Sequence, residues 1–142
     1  MRDIKFRAFI KDSHEMACLA TSEIYKVTEI DFADKYVTVE DEKRMIDVVG
    51  FEDCELLQFT GLTDKNGVQI YEGDIVEGYK GGSDNDRYYK GFLEWNQQQG
   101  GFVIRCGKYI MEILSLATEG FDCTLIISKF EVIGNIHQNS PF

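Results

Sequence analysis

Carboxylate and amide oxygens alternate through Asp64-Lys65-Asn66-Gly67, the order that opens a calcium-binding loop. The match stops at the glycine. An EF-hand needs more oxygen ligands, flanking helices and a closing bidentate Glu, whereas Ile70 and Tyr71 follow here in strand pattern. The four residues therefore read as a turn, a turn-favouring Asp beside an Asn-Gly pair that tolerates positive φ. Two other acidic groups, Glu52-Asp53-Glu55 and Asp84 with Asp86, have the chemistry to hold a divalent cation and to support phosphodiester hydrolysis. No basic groove accompanies them. Proton transfer at neutral pH falls on His14 and His137. A triad would set one of these beside Ser13, Ser115, Cys106 or Cys123 and a carboxylate, and no motif such as G-x-S-x-G frames any of them. No residue is assigned a catalytic, metal-binding or cofactor-binding role, and no cofactor is expected.

The remaining reactive groups read in the same way. Cys18, Cys54, Cys106 and Cys123 are widely spaced among apolar neighbours and form no CxxC or Cys/His cluster, so they are expected to be small buried hydrophobes. Gly78, Gly81 and Gly82 lack the Gly-Lys-Ser/Thr ending of a phosphate loop and read as a connector. Tyr71, Tyr79, Tyr88, Tyr89, Phe92 and Trp95 could stack nucleic-acid bases, but only Lys80, Arg87 and Lys90 lie near them, and aromatics in half-buried strands are usually core. A formal net charge of -10 and a pI near 4.6 also argue against phosphate backbones as partners. An acidic surface suits solubility or a basic protein partner.

The elements that would position these groups are short strands. Lys5 to Ile10 alternates charged and apolar residues, and Val27, Ile30, Phe32, Tyr36, Val37 and Val39 flank a hairpin tip at Ala33-Asp34-Lys35. Asp41-Glu42-Lys43-Arg44 is a charged turn before Met45 to Val49. Phe51, Cys54 and Leu57 have the spacing of one helical turn. Asn66-Gly67 joins two strands, and Glu72-Gly73-Asp74 makes a second bend before Ile75-Val76. Tyr88–Trp95 and Phe102–Arg105 flank a hairpin loop at residues 96–101, Tyr109–Ala117 fits either helix or strand, and Leu125-Ile126-Ile127 and Phe130–Ile136 complete a sheet. This predicts a mainly β, β-rich α+β fold of small twisted sheets. The expected units are residues 1–57, a small β unit, and residues 58–142, a barrel-like unit to which Val132-Ile133-Gly134-Asn135-Ile136 returns. No apolar run approaches the ~20 residues of a membrane helix. The charged start MRDIKFRAFIKD is unlike a signal peptide.

The opening MRDIKFRAF, the central QFTGLTDKNGVQIYEGDIV from Gln58 to Val76 and the closing EVIGNIHQN resemble the start, middle and end of the YopX family of bacteriophage and prophage proteins. The central run with its fixed glycines carries the resemblance. Phe9 stands where the family usually has Trp, and Ser140 interrupts the usual closing Asn-Pro. The resemblance implies a phage or prophage origin and a bacterial cytoplasmic site, and it carries over no catalytic residue. Two functional classes follow. One is a non-enzymatic interaction module that binds a host or phage protein, with Tyr71, Glu72 and Asp74 as the partner surface and a homo-oligomer covering strand edges. The other is an accessory of nucleic-acid processing or a metal-dependent enzyme, built from scattered acids.

Overall fold

The computed structural model describes residues 3–15, 18–80, 87–112 and 130–138. Strands dominate it, as the alternating sequence predicts. In chain order they are β1 (Phe6–Ile10), β2 (Ile24–Asp31), β3 (Tyr36–Glu40), β4 (Ile46–Gly50), β5 (Cys54–Thr63), β6 (Gln69–Tyr71), β7 (Asp74–Lys80), β8 (Arg87–Asn96), β9 (Gly101–Cys106), β10 (Tyr109–Glu112) and β11 (Phe130–Asn135). The backbone packs as two units, Met1–Phe59 and Thr60–Phe142. Each has its own apolar core. Among the described residues no helix is long and apolar enough to cross a membrane.

In the first unit the strands are ordered β4-β3-β2-β1-β5, all antiparallel. Alternation works as expected on β3, where Val37 and Val39 point inward beside Ala8, Ile10 and Val49. The β2–β3 hairpin turns where the sequence predicts. Asp31 Oδ1 accepts the Asp34 N–H at 2.8 Å, and Lys35 takes φ +56°. The charged turn before β4 is closed by Asp41, whose Oδ1 accepts the N–H groups of Lys43 and Met45, both at 2.9 Å. The helical turn expected over Phe51–Leu57 is a single 3-10 turn, Phe51–Asp53. Cys54 already pairs with Ile10 in the β1–β5 ladder, so sheet pairing overrides the helical spacing.

Beyond Phe59 the far end of β5 pairs with β6, and the second unit's main sheet runs β10-β9-β8-β7-β11, again antiparallel. Val76, Leu93, Ile104 and Phe130, one from each of four neighbouring strands, meet Ile70 of β6 in its core. The closing segment returns as expected: β11 lies beside β7, with Asn135 opposite Asp74 and a bulge between Val132 and Gly134. The barrel-like closure expected here is corrected. The sheets are open, because β10 and β11 end the order without pairing each other among the described residues. Tyr109–Glu112 takes the strand alternative. The rest of that segment, the strand expected at Leu125-Ile126-Ile127 and the connector after Lys80 lie outside the described residues.

Candidate functional site

The signature's first acid is used up by its own turn. Asp64 is 4% exposed. Its Oδ1 accepts the N–H groups of Asn66 at 2.8 Å and Val68 at 2.9 Å, while its Oδ2 accepts the Val132 N–H at 3.0 Å. The Lys65 N–H adds a bond to the Phe130 carbonyl at 2.9 Å, so the turn holds the closing strand through two groups. Burial pushes this carboxyl's pKa up, but the three backbone donors and the Lys65 ammonium together bring it below the usual value. The carboxylate thus serves the backbone of its own turn and of β11, and the residues that follow enter β6 rather than a helix.

The second aspartate repeats the arrangement at the next bend. Gly73 turns at φ +83°, and its N–H reaches the Leu93 carbonyl at 2.7 Å. Asp74, buried on β7, accepts the Tyr71 N–H at Oδ2 (2.8 Å) and the Asn135 Nδ2 donor at Oδ1 (3.0 Å). Asn135 Nδ2 also reaches the Glu72 carbonyl at 3.4 Å, and its Oδ1 accepts the His137 N–H at 3.0 Å. The Ile136 N–H completes the contact on the Gly73 carbonyl at 2.9 Å. The bend and the end of β11 are thereby fastened by buried polar groups that satisfy one another. Of the three residues expected to contact a partner, Tyr71 and Asp74 are buried and Glu72 is half-buried. Asn135 was missed in the sequence: its role depends on a partner 61 residues away, which no local spacing records.

The other sequence candidates separate. Ser13, His14 and Asp53 are brought together. The Ser13 hydroxyl donates to Asp53 Oδ1 at 3.1 Å, and His14 Nδ1 lies 3.6 Å from Asp53 Oδ2. The acid thus sits between the serine and the imidazole, so the histidine is not placed to take the hydroxyl proton, and its Nε2 is buried without a hydrogen bond. Glu55 pairs with Lys11 at 3.5 Å, whose Nζ also donates to the Glu52 carbonyl at 3.2 Å. Among the described residues no group of three or more His, Cys, Asp or Glu side chains could hold a metal ion. Cys54 is buried, Cys106 half-buried and Cys18 exposed, and burial pushes the thiol pKa up at Cys54 and Cys106. Ser115, Cys123, Asp84 and Asp86 lie outside the described residues.

The aromatic residues divide by environment. Tyr89 and Phe102 pack against the core of the second unit. Tyr79 and Tyr88 face each other across β7 and β8, 59% and 52% exposed, in an edge-to-face pair with ring centroids 5.6 Å apart. The Tyr88 hydroxyl donates to Glu77 Oε2, and that bond, with a smaller burial contribution, pushes the phenol pKa up. Trp95, 45% exposed, makes a second edge-to-face pair with Phe102 at 5.2 Å. Glu77 lies opposite both Lys90 on β8 and Glu131 on β11. Lys65 reaches Glu131 at 3.6 Å. A sheet surface with two projecting phenols and a row of mixed charge can take part in protein contact without any reacting group.

The family model described as YopX protein matches residues 5–142. A crystal structure of protein EF1440 from Enterococcus faecalis is similar in fold, with a TM-score of 0.55 and 21% sequence identity over 99% of this chain and 98% of that one. No curated protein matches the chain.

Proposed function

The chain belongs to the YopX family, and we propose that it is a non-enzymatic protein-interaction module made by a phage or prophage and acting in the bacterial cytoplasm. One observation carries this reading. The signature's two aspartates, Asp64 and Asp74, spend their carboxylates on backbone and amide donors, while Tyr79 and Tyr88 project from the same unit as an ordered pair beside Glu77. Tyrosine is favoured at protein interfaces because its ring supplies area at low entropic cost and its hydroxyl supplies a polar handle. In this reading Tyr71 and Asp74 contribute as buried anchors that hold the bend in one shape, and Glu72 adds to an acidic rim. The partner is a host or phage protein with a basic face, as a net charge of -10 favours.

The test is affinity capture from cells in which the phage genes are expressed, comparing the natural chain with Tyr79→Ala/Tyr88→Ala. The double variant is expected to stay folded, with a midpoint lowered only by loss of the ring pair and the Tyr88–Glu77 bond, and to lose the captured protein. Capture of the same protein by the folded double variant would refute the assignment of this surface. Recovery of nucleic acid that persists through moderate salt would refute the protein partner altogether.

A further inference from the structure

Strand β4 ends the first unit's strand order. Among the described residues it pairs with β3 alone, and no strand pairs with its outer edge. Ile46 and Val48 are 57% and 52% exposed, and Met45 just before them is exposed as well. No Pro, Lys or bulge interrupts the five-residue strand; its one charge, Asp47, accepts the Val48 N–H and the Cys18 N–H. The direction of its hydrogen bonds follows from its two ends. Asp41 N–H donates to the Met45 carbonyl at 3.0 Å, and Phe51 N–H donates to the Lys35 carbonyl at 3.0 Å. Bonding alternates along an antiparallel ladder, so Asp47 and Val49 also face β3 while the backbone groups of Ile46, Val48 and Gly50 face outward. The Val48 N–H is held locally by Asp47 Oδ1 at 3.0 Å; the other Asp47 oxygen accepts the Cys18 N–H at 3.1 Å.

We infer that this edge pairs with β4 of a second copy of the chain, antiparallel, about a two-fold axis at Val48. In that register Ile46, Val48 and Gly50 exchange N–H and carbonyl bonds with Gly50, Val48 and Ile46 of the second copy, and the Val48 N–H passes from Asp47 to a carbonyl. Charge selects the occupant. Lys43 and Arg44 stand directly before the strand, behind Glu42 and an Asp41 that caps its own turn, Glu52 and Asp53 follow it, and among the described residues no ion pair engages Lys43, Arg44 or Glu52. Antiparallel pairing about Val48 brings Arg44 and Lys43 of each copy toward Glu52 and Asp53 of the other, whereas a parallel arrangement would set Arg44 beside Arg44 and Glu52 beside Glu52. The surface is therefore complementary to itself, as a two-fold contact requires. A five-residue strand spans about 17 Å, so the contact is small and association is expected in the micromolar range.

Sedimentation of the full chain across that range, with the natural sequence and three sets of substitutions, tests the inference. The natural chain is expected to show a monomer–dimer equilibrium. Val48→Lys sets two ammonium groups opposite each other on the axis and is expected to weaken the dimer about tenfold or more, while the chain stays folded when diluted to monomer. Arg44→Glu and Glu52→Arg should each weaken it, and the two together should restore it. A natural chain that stays monomeric throughout would overturn the proposal. So would a dimer untouched by Val48→Lys, which would place association on another edge such as β10 or β11, or a charge swap that fails to restore pairing.

Discussion

Asp74 Oδ1 and Asn135 Nδ2 lie 3.0 Å apart, both residues buried, and join the signature bend to the end of the closing strand. The bond joins two buried groups where water does not compete, the setting in which an orphaned partner costs most. Asp64 makes the corresponding link to Val132 at the other end of β11. The run of turn residues that dominates the sequence is thus a pair of fastenings for one strand.

Gly73 and Gly67 should respond differently to a side chain. Both turn at positive φ, +83° and +79°, so either Ala substitution costs about 1 kcal/mol from backbone strain. A Cβ at Gly67 meets nothing within 4 Å, whereas one at Gly73 lies 3.2 Å from Asn135 Nδ2. Gly73→Ala is therefore expected to lower the urea midpoint more than Gly67→Ala, and Val at either site more than Ala. Equal losses would show that the Asn135 side chain yields without cost.

Acid should loosen the fold partly through Asp64. Its folded pKa is depressed, so the unfolded chain binds the proton more tightly, and the stabilisation is present above the unfolded value of about 3.9. It fades as pH falls through the folded value. Asp64→Asn is expected to be less stable at pH 7, because an amide nitrogen cannot accept one of the backbone donors, and to show a shallower loss of stability below pH 4. Denaturant midpoints measured from pH 7 to pH 2 check both limbs.

Thiol reactivity should follow exposure. Cys18 is exposed, while burial disfavours the thiolate at Cys54 and Cys106. Brief alkylation of the native protein at pH 8, read by peptide mass, is expected to label Cys18 well before either of the others. Early labelling of Cys54 would mean that the β1–β5 edge opens readily.

What could be read from the sequence was local. Asn66-Gly67, the β2–β3 tip and the period-2 strands carry their conformation in neighbouring residues, and the structure places them accordingly. The closing strand's return to the signature was expected from economy of topology alone, and β11 does pair with β7. What distant residues decide was not legible. Nothing near Asn135 announces Asp74, and nothing near Asp64 announces a bond across 68 residues to Val132. Phe51–Leu57 has helical spacing, yet Cys54 and Leu57 pair with β1 because that ladder satisfies more backbone groups than one turn can. Closure of the second unit was likewise a matter of strand order, which spacing does not encode.

The account rests on the signature acids acting as structural fastenings, and a double-mutant cycle on Asp74→Ala and Asn135→Ala in urea unfolding tests this most directly. Asp74→Ala should cost about 3 kcal/mol, since it also orphans the Tyr71 N–H, and the cycle should return a coupling of about 1–3 kcal/mol between the two side chains. Additive losses with no coupling, or an Asp74→Ala variant as stable as the natural chain, would contradict it.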